Sequence, residues 1–227
     1  MSFARTVVVD DMRTLAVNTF LSLDGVMQAP GGPEEDPTGG FAHGGWAATY
    51  FDDEMLAQVA EADPYELLLG RGTYEIFAAH WPYDEGPIAD RLNSTRKHVA
   101  STTLDRVEWS NSTLIPGDVA EYVSSLKSQE GPEIQVHGSP RLIQTLLRHD
   151  LIDEFRLWIF PVVLGSGKRL FGDGTIPAGL RLADSKVSKT GVTINTYVRA
   201  GDIAAGSMEF EVPTEAELER RRRLAGD

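Results

Sequence analysis

The amino-acid sequence predicts an α/β domain: a central, mostly parallel sheet with an antiparallel C-terminal edge and helices on both faces. Three observations lead there. Apolar, β-prone runs alternate with runs of helical period from residue 13 to residue 163. Two strand patterns, 182–187 and 192–198, then follow each other with no helix between them. Two strand-to-helix turns carry glycine, at Gly70-Arg71-Gly72-Thr73 and at Gly138-Ser139, and open α/β sheets hold ligands at such carboxyl ends.

Residues 1–12 read as an N-terminal extension, 13–200 as the domain, and 201–227 as a C-terminal extension that is partly helical. The first strand, 13–21, runs into Ser22-Leu23-Asp24-Gly25, whose Asp-Gly pair signals a turn. Residues 29–45 are rich in glycine and proline, and so long a loop in a compact domain is usually functional or disordered. A helix is predicted over 52–61, with Met55, Leu56, Val59 and Ala60 on one face and acids in its first turn. Strand 65–69 leads into helix 73–79, a short helix covers 87–92, and strands fall at 97–100 and within 107–115. Asp118 is placed to cap a helix over 119–127. A short strand at 134–136 precedes a helix over 140–149, with Pro140 at the favoured first position. A long apolar strand covers 154–163, and the closing hairpin turns near Thr190-Gly191. Residues 203–211 are read as one more strand, and 214–224 as a charged helix with Thr214 and Glu217 spaced as a capping box.

Composition narrows the function. At 227 residues and 41% hydrophobic, the chain can bury a real core. It has no cysteine, which excludes disulfides, Cys-based zinc sites and thiol catalysis. A formal net charge of -13 repels nucleic-acid phosphates, so any anionic ligand needs local positive charge. Without an apolar run of membrane length or a signal-peptide pattern, the protein is expected to be cytoplasmic, with no membrane partner.

Gly70-Arg71-Gly72-Thr73 places backbone N–H groups of a helix start beside a guanidinium that can grip a phosphate. The spacing alone does not choose between phosphate binding and a plain capped turn. Gly138-Ser139 before Pro140 is a second such corner, although neither carries the full Gly-x-Gly-x-x-Gly pattern. Ser101 and Thr102 put hydroxyls at the end of another strand, which fits a ribose phosphate or a solvated turn. Asp24 is either a substrate-orienting acid or an ordinary turn residue. Gly165-Ser166-Gly167-Lys168 fails as a P-loop because Val162 and Arg169 occupy required positions. The five histidines show no metal-ligand spacing and Gly-x-Ser-x-Gly is absent, so no metal and no hydrolase chemistry is expected. The four tryptophans read mostly as packing residues, although Trp46, at the glycine-rich loop, is also placed to cover a ligand.

Taken in order, Ser22-Leu23-Asp24-Gly25, Gly70 to Glu75, Val99-Ala100-Ser101, Gly138-Ser139 and Pro161 to Gly167 resemble the dihydrofolate reductase-like superfamily. The chain is most similar there to the reductase domain of the bacterial riboflavin-biosynthesis deaminase-reductase, over roughly residues 13–200. The resemblance implies a three-layer fold, NADPH bound in an extended pose and a homodimer. By position, Gly70, Arg71 and Thr73 would hold the phosphate region; Ser101 and Thr102 would lie near the adenosine ribose; Gly138, Ser139 and Arg141 would approach the pyrophosphate. Asp24 would be the catalytic-site residue facing the substrate, and Pro161 to Gly167 would border the site or a dimer contact.

Two departures stand out. Gly138-Ser139 replaces a usual Gly-Gly pair, and loop 29–45 lacks the short apolar-aromatic pattern of true dihydrofolate reductases. The acid that binds a pteridine in those enzymes would fall at Asp52, Asp53 or Glu54, with no choice among them. The expected function is NADPH-dependent reduction of a small polar heterocycle or of a carbonyl- or imine-type group. The alternatives are a non-catalytic NADPH-binding sensor or scaffold, and a dimerisation module built on the charged tail.

Overall fold

A computed structural model of the chain describes residues 12–172 and 175–225. The expected N-terminal extension therefore lies, apart from Met12, outside the described residues. The chain runs β1 (Leu15–Ser22), α1 (Asp53–Ala60), β2 (Tyr65–Gly70), α2 (Arg71–His80), α3 (Pro87–Ser94), β3 (Lys97–Ala100), β4 (Ser112–Leu114), α4 (Val119–Lys127), β5 (Glu133–His137), α5 (Pro140–Arg148), β6 (Glu154–Phe160), β7 (Leu180–Val187), β8 (Thr193–Arg199) and α6 (Glu215–Leu224). One eight-stranded sheet results, in the order β4-β3-β2-β5-β1-β6-β8-β7. The strands from β4 to β6 are mutually parallel, and β8 and β7 close the sheet as an antiparallel hairpin. This is the α/β fold the alternation predicts.

Alternation along the strands divides the core between the two faces. Leu15, Val17 and Leu21 of β1, Leu68 of β2, and Ile134 and Val136 of β5 meet α4 and α5 through Val123, Leu126, Ile143 and Leu146. On the other face, Leu67, Leu69 and Val99 pack with Tyr74 of α2 and Leu92 of α3. Further along that face, Trp158, Phe160 and Ile194 meet Met55 of α1 and Trp46. Trp46 is a packing residue there, its indole N–H donating to the Gln28 carbonyl at 2.8 Å.

β1 starts two residues later than expected and β7 two residues earlier, and three further differences have plain causes or consequences. β6 stops at Phe160, because Pro161 has no N–H to continue the ladder. α2 starts at Arg71, two residues before the predicted start, so Arg71 to Thr73 form its first turn. Residues 203–211 form no strand: β8 ends at Arg199, Gly201 adopts a left-handed φ of 82°, and Ile203, Met208 and Phe210 are exposed. α6 forms where predicted, with the Thr214 hydroxyl accepting from the Glu217 N–H at 3.3 Å. It buries nothing among the described residues. A chain ending at residue 212 should therefore melt at the temperature of the full chain in a calorimetric scan; a clear drop would show that the tail carries hidden packing. None of the described helices is long and apolar enough to cross a membrane.

Candidate active site

The topology sets where a ligand can sit. From β2 the chain leaves through α2 toward β3, and from its neighbour β5 it leaves through α5 in the opposite direction, toward β6. α2 and α5 lie on opposite faces. The carboxyl ends of β2 and β5 therefore flank a crevice, the kind of switch point at which open α/β sheets bind ligands.

Both predicted glycine corners lie at this crevice and touch. Gly70 ends β2 and stands before α2, and no side chain caps that helix. Ser139 stands before α5, again without a side-chain cap. The N–H groups of both first turns thus keep their free hydrogen-bonding capacity, except at Pro140. The Ser139 hydroxyl accepts from the Gly70 N–H at 2.8 Å and donates to Thr73 Oγ1 at 2.8 Å. Ser139 is a latch between the corners. Holding it there requires φ of 68° at Ser139, after 70° at Gly138, a left-handed backbone that is uncommon for a serine. A Cβ added to Gly70 would lie 3.0 Å from Ser139 Cβ and Oγ, whereas one added to Gly72 would meet nothing within 4 Å.

The third predicted corner joins these two. The Ser101 hydroxyl accepts from the Thr103 and Leu104 N–H groups, shaping the turn after β3. Arg71 donates to Thr103 Oγ1 at 2.6 Å and pairs with Glu75 at 2.8 Å, so its guanidinium spans from α2 to that turn while half exposed. Thr102 is exposed. The exposed Arg141, in the first turn of α5, has no side-chain partner among the described residues. The ends of β3, β2, β5, β1 and β6 follow each other along one sheet edge, so Ser101, Gly70, Gly138, Asp24 and Pro161 span four strand spacings, about 19 Å.

Asp24 holds the far end of this row together. Its carboxylate accepts from the Ser22 hydroxyl at 2.6 Å, the Leu164 N–H at 3.1 Å and the Gly165 N–H at 2.8 Å, and it pairs with Arg169 at 3.3 Å. The Ser22 hydroxyl and the Leu164 amide are the main reasons its carboxyl is held well below the usual range. The second half of the Pro161 to Gly167 segment is thereby tied to β1 through one side chain.

The three adjacent acids have separate fates. Asp52 caps α1, accepting from the Met55 N–H at 2.9 Å, and also accepts from the Lys189 N–H in the β7–β8 turn. Asp53 and Glu54 follow it in the first turn of α1, where negative charge suits the helix dipole. Loop 29–45 is ordered by Gln28, whose amide donates to the Asp36 and Thr38 carbonyls and accepts from the Lys168 N–H. Beside it, Gln28, Thr38, Phe41, Ser166 and Lys168 line a hollow of about 300 Å³.

One group escaped the sequence reading. On the face shared by α1 and α2, Asn18 of β1 stands between His137 of β5 and Arg156 of β6 in register. The His137 ring bonds through Nε2 to Gln135 Oε1 at 2.7 Å, Gln135 donates to Glu133 at 2.7 Å, and Arg156 donates to both Glu133 oxygens at 2.6 and 2.7 Å. Burial, and then the Arg156 charge, push the His137 pKa down to about 4. The signal was present in Glu133-Ile134-Gln135-Val136-His137. A central parallel strand is ordinarily apolar on both faces, and this one alternates.

Against known proteins, residues 13–195 match the family model described as the RibD C-terminal domain. The uncharacterised protein YyaP of Bacillus subtilis is 28% identical over 194 residues, which is 82% of this chain and 94% of that protein. In structure the chain is similar to a Shewanella sp. PV-4 protein named as a candidate for riboflavin biosynthesis, at a TM-score of 0.59 and 23% identity, covering 82% of this chain and 99% of that one. It is also similar to dihydrofolate reductase from Enterococcus faecalis complexed with NADP(H), at a TM-score of 0.53 and 16% identity over 82% and 96% of the two chains. At these identities the structural likeness speaks for the dihydrofolate reductase-like fold.

Proposed function

From the premise that this chain belongs to the RibD C-terminal domain family, we propose that it is a reductase using NADPH to reduce a small polar heterocycle or a carbonyl- or imine-type group. One observation carries the cofactor reading. Two uncapped helix N-termini meet at the switch point through Gly70 and Ser139, with Arg71 and Arg141 alongside. On a chain of net charge -13, this is a local concentration of N–H donors and positive charge suited to a diphosphate.

In this reading Gly70, Gly72 and Thr73 present the first turn of α2 to phosphate, while Gly138, Ser139 and Arg141 do the same from α5. Arg71, Ser101 and Thr102 receive the adenosine end, where Arg71 recognises the 2′-phosphate. When bound, NADPH supplies the hydride, and the protein supplies position and electrostatics. Asp24 is a positioning residue: an anion with a depressed pKa does not donate a proton at neutral pH, so the proton comes from water.

Arg71→Ala should weaken NADPH binding about tenfold, the loss of one charge-assisted contact, and leave NADH binding nearly unchanged. Fluorescence titration of both cofactors reads this directly. Equal, weak binding of the two cofactors by the parent protein would sink the 2′-phosphate assignment. Binding without turnover, across pterins, flavin precursors and carbonyls, would favour a sensor.

A further inference from the structure

The hydrogen-bond polarity of the His137 group can be worked out from its fixed end. Glu133 holds the Arg156 guanidinium through both oxygens and, as a carboxylate, only accepts. The Gln135 group facing it must be the NH₂, which leaves Gln135 Oε1 toward His137. An amide oxygen accepts, so His137 Nε2 carries the proton. With a neutral ring, Nδ1 is then a bare lone pair. It has no hydrogen-bond partner among the described residues, and His137 is only partly buried. A polar chain of this kind on a core strand is costly unless satisfied, and here every link is satisfied except the last atom.

That atom belongs to the residue just before Gly138, the glycine at the crevice. We infer that Gln135, Glu133 and Arg156 hold His137 as a fixed acceptor, whose Nδ1 receives an N–H or O–H of the substrate beside the cofactor. This rests on the reductase reading above and deepens it. The substrate class it selects bears a hydrogen-bond donor next to the group reduced, such as a cyclic imide or a hydroxylated ring. N-alkylated or wholly accepting analogues would be rejected, because their acceptors would face a lone pair. Gln135, Glu133 and Arg156 are positioning residues, acting through the ring. The groups that face His137 are Gln135, Arg156, Asn18 and the Tyr65 ring, whose centroid lies 5.7 Å away.

The test is ¹⁵N NMR of the full chain labelled at histidine, at pH 7, with and without saturating NADPH. The probes are uracil, which has two ring N–H groups, one of them an imide, and 1,3-dimethyluracil, which has none. The expected result is a His137 ring protonated at Nε2, with an Nδ1 resonance that moves with uracil and not with the dimethylated ring. Gln135→Leu should give a mixture of the two tautomers and reduce the uracil response severalfold. Gln135→Met, should Gln135→Leu fold poorly, reads the same link, because it nearly keeps the side chain's size and removes the amide oxygen that fixes the Nε2 proton. A ring protonated at Nδ1, an equal response to both probes, or no response to saturating uracil would overturn the inference. The cofactor arm is separate. Failure to bind NADPH with the uracil response intact would remove the reductase reading and keep the acceptor; NADPH binding with an Nδ1-protonated ring would do the reverse.

Discussion

Gly70→Ala is expected to cost about 2 kcal/mol of stability, within the range for overpacking a close contact, and to weaken NADPH binding on the order of a hundredfold, about 2.7 kcal/mol. The added methyl would sit 3.0 Å from Ser139 Cβ and Oγ. Ser139 can retreat only by abandoning a left-handed backbone already held in place and breaking its bonds to Gly70 N–H and Thr73. Both corners would then shift together. Gly72→Ala is the matched control. Its methyl meets nothing, and alanine in a helical turn gains roughly 0.5–1 kcal/mol over glycine. Thermal melts beside cofactor titrations separate the outcomes. Equal behaviour of the two variants would refute the latch. A stabilised Gly72→Ala that loses NADPH would place the phosphate directly on that turn.

Asp24→Ala should destabilise the fold by about 2 kcal/mol, since it strips two backbone N–H groups and a hydroxyl of a charged acceptor. The same carboxylate gives a pH signature. Its folded pKa lies below its unfolded value, so its contribution is complete above about pH 4 and is lost as the pH falls through the folded pKa. The stability gap between the parent and Asp24→Ala, measured by urea unfolding, should thus be constant from pH 8 to pH 5 and narrow toward pH 3. A gap that widens in acid would reverse the assignment. Protease nicking confined to 161–169 should accelerate in the variant, because Asp24 anchors Leu164 and Gly165.

Elements defined by local period were legible from residues alone. The span of α4 was read as it stands, Val119–Lys127, because its cap at Asp118 and its apolar stripe are both short-range. The corners holding Arg71, Thr73, Ser101, Gly138 and Ser139 are legible as the exits from strands, and the sheet order brings those exits to one edge. What could not be read was pairing across sequence. Nothing local says that Ser139 bonds Gly70, that Asp24 serves Leu164, or that Arg156 reaches Glu133. The strand expected over 203–211 failed for the complementary reason: its composition suits β structure, but it pairs with neither edge strand of the sheet, β4 or β7. The alternation in β5 is readable, but a short strand with two apolar residues looks simply buried.

The position of β5 has a consequence for how the chain is made. It sits between β2 and β1, and β1 has no other neighbour than β6. Both partners of β1 are therefore synthesised after more than half the chain. At roughly 5–20 residues per second, the first strand waits on the order of ten seconds on the ribosome with Leu15, Val17 and Leu21 uncovered. The crevice between the ends of β2 and β5 cannot exist earlier either, because half of it is β5 and α5. A ligand bound there can thus rescue only chains that already include β5 and α5. An excess of NADPH in a cell-free translation reaction would raise the yield of full-length folded protein and leave aggregation of stalled N-terminal fragments untouched.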